Sequence, residues 1–391
     1  MSERLEIGYI PLLDAAPVII AEEIGFAREE GLELAFHREP SWSALRDKLA
    51  FGKIDAAHML SPVPVAMSMG LGGLASAIDA LQILSVNGTV VGVSREIAAR
   101  MHARGLTRDA MAAAAVGRAL IDVHRQPLKV GVPFPFSMHA ELLYYWLGAL
   151  GLQAPQQLVV RTVPPPQMPA ALEAGEIDAF CVGEPWGSIA VERGLAEIVL
   201  PGCAIWRFAP EKVLAVRRSF TDEAPGRLAS LMRAVWRAGR WLADPAHHMT
   251  TAEILAQPRY LDVSAETLER GLSGRLVVSS AGEIRRIDRF LMFADGAAQF
   301  PWRSQAVWMA TRLAERLGLD RSEAAEVARR TFRADLYRAN LADIGADLPG
   351  ASEKVEGALE SITPVASSTG RLFLGPDSFF DGRIFDPSLT E

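Results

Sequence analysis

Along the first half of the chain the period of apolar positions switches repeatedly. Short apolar runs bounded by turn residues predict strands, and apolar residues every three or four positions predict helices. By these signals Leu5–Ile10 is a strand, Pro17–Glu30 a helix closing on Gly31, and Glu33–Phe36 a strand. Ser41–Phe51 is a helix with Ser41 as N-cap and Gly52 just past its end, and Ile54–Leu60 is a third strand. The same order recurs in Leu128–Val132, His139–Leu150, Leu158–Thr162, Pro166–Ala174 and Ile177–Val182. Leu5, Gly8, Gly25, Leu49, Gly52, Ile54, Asp55, Ala56 and Pro62 reappear 123 residues later as Leu128, Gly131, Gly148, Leu172, Gly175, Ile177, Asp178, Ala179 and Pro185. A repeat held in register over so many positions predicts two similar units.

Strands alternating with helices of this length predict an α/β fold of two lobes, each on a parallel sheet with helices on both faces. Val90–Val93 and Val213–Val216 read as short strands flanking the second unit, completing the first lobe where the chain crosses between lobes. From Thr221 onward Leu228–Leu242, Val307–Leu317 and Ala324–Phe332 carry helical periodicity, a C-terminal helical segment expected to pack on the first lobe. The expected division is 1–94 for the first part of lobe I, 95–212 for lobe II with its crossover, and 213–336 for the helical completion of lobe I. Residues 337–391, rich in Gly, Pro, Ser and Asp, are expected to form an irregular tail.

Composition narrows the class. Half of the 391 residues are apolar and 22% are charged, the profile of a globular chain. The formal net charge of −7, with no Lys/Arg cluster, argues against direct nucleic-acid binding. Cys181 and Cys203 lie in apolar surroundings and read as two buried thiols. No run approaches a membrane span, and the opening Met1-Ser2-Glu3-Arg4 lacks a basic, apolar leader. The expectation is a cytoplasmic protein with no membrane association.

Open sheets of this kind take ligands beyond the carboxyl ends of their strands. Two lobes facing each other therefore put Pro11–Pro17, Ser61–Pro64, Pro133–His139 and Gly183–Pro185 on a shared cleft. At these positions a resemblance appears. The runs Ile10-Pro11-Leu12-Leu13-Asp14-Ala15-Ala16-Pro17, Pro40-Ser41-Trp42-Ser43-Ala44-Leu45 and Gly52-Lys53-Ile54-Asp55-Ala56-Ala57-His58 are similar to the nitrate/bicarbonate-binding proteins of ABC transporters. So are Phe180-Cys181-Val182-Gly183-Glu184-Pro185-Trp186, Pro210-Glu211-Lys212-Val213-Leu214 and the tail run Phe379-Phe380-Asp381-Gly382-Arg383.

The resemblance implies a type II periplasmic-binding-protein-like fold that closes on an anion, nitrate or nitrite. It implies Trp42, His139, Gly183 and Lys212 as ligand-binding positions, with Pro165 nearby. Transporter members place an amide side chain after an Asn-Gly pair, where this chain has Asn87-Gly88-Thr89 and a shorter hydroxyl. Without an export leader, the chain looks like the cytoplasmic NasS-type nitrate/nitrite sensor branch. That branch implies an RNA-binding antiterminator partner of the NasT type. The alternative is the substrate-binding component of an ABC transporter. No enzyme activity, catalytic residue, cofactor or metal is expected.

These residue types suit the chemistry. Nitrate offers three acceptor oxygens and no donor. Lys212 brings charge and three N–H groups, Trp42 an indole N–H, His139 an imidazole N–H at a helix start, and Gly183 room for close backbone approach. Carboxylates beside such an anion are expected to repel it, and Glu184 is placed as a supporting partner of Lys212 or His139. Each residue alone also has a structural reading: surface lysine, packed tryptophan, helix-start histidine, turn glycine. The adjacent His247-His248 reads as a surface pair, because neighbouring helical positions diverge. Asp55 and Asp178 read as equivalent structural carboxylates at strand starts.

Overall fold

In the computed structural model, which describes residues 2–389 apart from 75, 107, 108, 110, 125, 126 and 155, the 123-residue repeat has a physical basis. Asp55 donates its N–H to Glu6 O (2.8 Å) and accepts the Glu6 N–H on its carboxylate (2.9 Å). Asp178 does the same to Lys129, at 2.8 and 2.9 Å. Each carboxylate thus satisfies a backbone donor beside a strand. The glycines repeat the logic of close approach. A β-carbon on Gly8 would collide with Leu45 and Ile54; one on Gly131 would collide with Met168 and Ile177, the residues 123 positions on.

The first sheet receives β1 (Glu3–Tyr9), β2 (Leu32–Arg38), β3 (Ala56–Leu60) and β4 (Ile78–Asn87). The chain then crosses to the second sheet with β5 (Thr89–Ser94), β6 (Leu128–Val132), β7 (Leu158–Thr162), β8 (Ala179–Gly183) and β9 (Ala196–Pro201). It returns with β10 (Pro210–Arg217). A hairpin of β11 (Arg275–Val277) and β12 (Ile284–Arg286) precedes the short edge strand β13 (Leu291–Met292). The spatial orders are β13-β4-β10-β3-β1-β2 and β7-β6-β8-β5-β9.

The repeated strands are parallel: β1 pairs with β2 and β3, and β6 with β7 and β8. The expectation of wholly parallel sheets needs correction, because β10 is antiparallel to β3 and β4, and β5 to β8 and β9. Both strands enter directly from the other lobe, with no crossover helix to carry the chain back to the starting edge, so they run the opposite way. The segment Val90–Val93 likewise lies in the second sheet, not the first. What joins Val213–Val216 in the first sheet is β4, buried throughout. Asp79, Gln82 and Ser85 interrupt its apolar pattern; Asp79 is accommodated because Arg218, Thr221 and Arg333 all donate to it.

The expected helix Pro17–Glu30 is two helices, Ala16–Glu23 and Phe26–Glu29, broken at Gly25 with φ +91°. The helix Pro225–Leu242 packs on Ala16–Glu23, and Arg303–Leu317 on Pro62–Ser68, so the C-terminal helices cover the first lobe. The helix Ala334–Leu341 runs past residue 336, and beyond it the described strands are two residues long. The tail nevertheless packs tightly. Phe379 stacks on Trp206 at 4.8 Å, and Tyr145 of the second lobe donates to Asp381 (2.8 Å).

Two short crossovers join the lobes: Gly88, and residues 202–209. Asn87, buried with φ +63°, ties them together. Its Nδ2 donates to Arg207 O (3.0 Å) and Arg289 O (3.1 Å), and its Oδ1 accepts from Ala209 N (3.1 Å). Across the cleft, Leu13 N donates to Glu184 O (2.9 Å), Trp186 Nε1 to Pro11 O (2.9 Å), and Arg316 to both oxygens of Glu141 (2.6 and 2.7 Å). The lobes are closed on one another.

Candidate functional site

Capping fixes two of the expected residues. Ser41 accepts the Ala44 N–H (3.3 Å) and starts the helix Trp42–Ala50, setting Trp42 in its first position. Ser137 accepts the Ala140 N–H (3.2 Å) and starts the helix Met138–Ala149, setting His139 in its first turn. Both helix starts look into the closed cleft. Strand β10 brings Lys212 between them, with Nζ 5.5 Å from the Trp42 ring centre.

Lys212 is wholly buried. Its ammonium donates to Asp14 Oδ2 (2.6 Å) and to Glu211 Oε1 (2.8 Å), which leaves one N–H for another acceptor. Asp14 Oδ1 accepts from His58 Nε2 (2.9 Å), and the His58 ring lies 5.6 Å from that of Trp42. From the second lobe, His139 Nδ1 stands 3.2 Å from Glu211 Oε1. A β-carbon on Gly183 would sit 3.9 Å from His139 Nε2 and 3.8 Å from Asp14 Oδ2, so the backbone passes close to both.

Trp42, His139, Gly183 and Lys212 are therefore brought together. Thr89 joins them at one remove: it pairs with Gly183 across β5 and β8, and its buried hydroxyl packs against Gly202. Pro165 is buried in the turn Pro165–Gln167, with no hydrogen bond to this cluster. Its neighbours Pro164 and Pro166 line a cavity of about 330 Å³ at the cleft mouth with Pro11, Arg38, Glu39 and Pro40.

Carboxylates are expected to repel a bound anion, yet two of them, neither being Glu184, contact the Lys212 ammonium expected to hold it. A lysine buried this deeply needs opposite charge beside it, and Asp14 and Glu211 supply it. Nor is Glu184 the partner of Lys212 or His139: its Oε2 accepts the Ser188 N–H (3.2 Å). Asp14 stands in a segment singled out for the cleft and His58 in the strand just before another, but nothing in their spacing pairs them. Glu211 was harder to foresee, since adjacent strand residues face opposite ways. Here register shifts between β10 and β4 around Lys212 break that alternation.

Burial and charge compete at each group. Burial raises Asp14, but Lys212 and His58 outweigh it and hold its carboxyl well below the usual range. Burial lifts Glu211 to about 7 although Lys212 opposes this. Burial and the Lys212 charge push His139 well below its ordinary value, so its imidazole is neutral at pH 7. Burial lowers His58 too, against the pull of Asp14. Trp42 Nε1 and His139 Nε2 are buried with no hydrogen-bond partner, and His139 Nδ1 is badly angled towards the Glu211 oxygen 3.2 Å away. Buried polar atoms of this kind are costly, and those gathered beside one ammonium suit a small acceptor-rich anion.

Elsewhere, His247 stacks on Trp241 with ring centres 4.0 Å apart, a packing role. Among the described residues no group of three or more His, Cys, Asp or Glu is placed to hold a metal ion, and no helix is long and apolar enough to cross a membrane.

Comparisons with known proteins agree with this architecture. Residues 1–256 match the model of the NMT1-like family. The nitrate/nitrite binding protein NrtA of Synechococcus elongatus is 30% identical over 393 residues, covering 97% of this chain and 83% of that protein. The nitrate import ATP-binding protein NrtC of Synechocystis is 30% identical over 389 residues; the match covers 98% of this chain but only 54% of NrtC. The crystal structure of the periplasmic nitrate-binding protein NrtA from Synechocystis superposes with a TM-score of 0.84 at 26% identity, over 99% of this chain and 96% of that one. The two lobes expected from the repeat, and the periplasmic-binding-protein-like fold that the resemblance implies, are thus the fold of a solved relative, and relatives named as binding proteins accord with the expectation of no enzyme. With well over half its length matched, the chain belongs to the NMT1-like family.

Proposed function

We propose that this chain binds nitrate or nitrite between its lobes and serves as the substrate-binding component of an ABC-type import system. The observation that carries this is the gathering of buried ring nitrogens with no hydrogen-bond partner, Trp42 Nε1 and His139 Nε2, beside Lys212, which has one N–H to spare. The likeness to NrtA over nearly the whole chain supports the choice of anion. For an anion of four heavy atoms, a ceiling of about −1.5 kcal/mol per atom gives about −6 kcal/mol, so affinity falls in the micromolar class. The test is isothermal titration with nitrate, nitrite and bicarbonate. Wild type is expected to bind nitrate or nitrite one-to-one, and His139→Ala to weaken binding at least about tenfold by removing a charge-adjacent hydrogen bond. Equal affinity in the two proteins, or no binding of any of the three anions, defeats the proposal.

A second reading is the cytoplasmic sensor whose closure releases a NasT-type RNA-binding antiterminator. It draws support from sequence resemblance, including Thr89 where transporter members carry an amide. Fractionation of native cells separates the two readings. Export across the membrane favours the import component; retention in the cytoplasm, with an RNA-binding partner released by nitrate, favours the sensor.

A further inference from the structure

Behind the hinge, away from Lys212, a cavity of about 470 Å³ is walled by four arginines, Arg207, Arg285, Arg286 and Arg289. Asp109 and Asp288 are the carboxylates on the same wall, with Glu283 and Asp295 just behind it, so the wall is rich in arginine donors on a chain whose net charge is −7. Arg285 bonds Glu283 (3.1 Å), and exposed Arg286 lies 3.6 Å from exposed Asp288. Arg289 differs: its Nε and Nη2 are buried and make no hydrogen bond. Burial works against its charge, Asp295 supports it from a distance, and the neighbouring Arg207 opposes it. An arginine held like this, with a second arginine beside it, leaves a planar fork of donors waiting for acceptors.

We propose that this cavity is a second anion site, for a small organic molecule carrying two negative charges, a phosphate ester or a dicarboxylate. A monoanion the size of nitrate does not fill the volume or engage arginines from both segments at once. The rest of the wall, Met111, Cys203, Ile287 and Pro376, offers apolar surface to an organic body. Arginine forks suit phosphate and carboxylate alike. The place is also mechanical: the carbonyls of Arg207 and Arg289 are the two that Asn87 Nδ2 grips, so a molecule held here touches both segments tied at the hinge.

The experiment is calorimetry on the full chain with succinate and with glucose 6-phosphate as probes, nitrate being present or absent. One-to-one binding of either probe is expected; which one binds tells dicarboxylate from phosphate ester. Arg207→Gln, at an exposed position outside any regular element, is expected to weaken that binding at least tenfold, and Arg285→Gln gives an independent second variant. His139→Ala should leave probe binding intact, which separates this site from the one between the lobes. Binding of neither probe up to millimolar concentrations overturns the proposal. So does binding that nitrate displaces, or binding that both arginine variants retain in full.

Discussion

Glu211 touches Lys212 and lies within reach of His139, so it controls the charge that an incoming anion meets. The groups around it are Lys212, Asp14, His139 and the thiol of Cys181, with His58 beyond Asp14. Its pKa of about 7 stands above the ordinary 4.5 because of burial. A bound anion adds negative charge nearby and holds the Glu211 proton more tightly. Nitrate affinity should therefore be flat below about pH 7 and fall up to about tenfold per pH unit above it. Glu211→Gln should flatten the profile; titration calorimetry at several pH values reads both, and an unchanged slope in the variant refutes the assignment. The same shift acts on folding. Between about pH 4.5 and 7 the native chain holds a proton that the unfolded chain releases, so this contribution is full below 4.5 and lost as pH rises through 7. Asp14, depressed by Lys212 and His58, behaves oppositely: its contribution is present above its ordinary 3.8 and lost in acid.

Taken alone in the sequence, Lys212 also reads as a surface lysine, one that alanine would replace without harm to the fold. The structure reverses that reading. Lys212→Ala strands two buried carboxylates, and breaking a buried ion pair from one side costs about 3–5 kcal/mol. Urea unfolding is expected to show that loss, and Lys212 with Asp14 changed together to Met and Asn should recover part of it. Trp42, His139, Gly183 and Lys212 could be named in advance because the resemblance to the anion-binding family implies them, and Trp42 and His139 also open helices of the repeated units. Asp14, His58 and Glu211 could not be joined to them, because their association depends on a broken strand alternation and on the closure of one lobe against the other.

Among the elements, the strands of the repeat were the most legible, since a period of 123 residues carries its own register. The least legible was β4, whose buried Asp79 is matched only by partners more than a hundred positions away, Arg218, Thr221 and Arg333. Equivalent elements should respond equivalently. Asp55→Ala and Asp178→Ala each strip a backbone N–H of its carboxylate partner, at a cost of about 1–3 kcal/mol. Denaturation midpoints of the two variants should fall by similar amounts. A large effect at one site and none at the other would mean that the repeated contact is not a repeated source of stability.

For the whole molecule, the Arg316–Glu141 contact spans the cleft between a helix packed on the first lobe and one of the second. Glu141 is buried, with burial raising its carboxyl and Arg316 opposing this. Arg316→Ala should favour the open arrangement, in which Glu141 regains water. Small-angle scattering is expected to show a larger radius of gyration without ligand, and calorimetry a weaker nitrate affinity, since part of the binding free energy then goes into closure. A variant with unchanged dimensions and affinity would take this contact out of the closing equilibrium.

Asn87 and Gly88 also form the dipeptide in which a side-chain amide is most readily attacked by the following backbone nitrogen, the first step of deamidation. In the folded chain that amide is buried and held by two carbonyls and one N–H. Conversion to a carboxylate would remove the donor and set acceptor against acceptor at Arg207 and Arg289. Chemical ageing at this bond is therefore confined to molecules that have unfolded there, and a molecule so aged loses the knot through which its two lobes share one hinge.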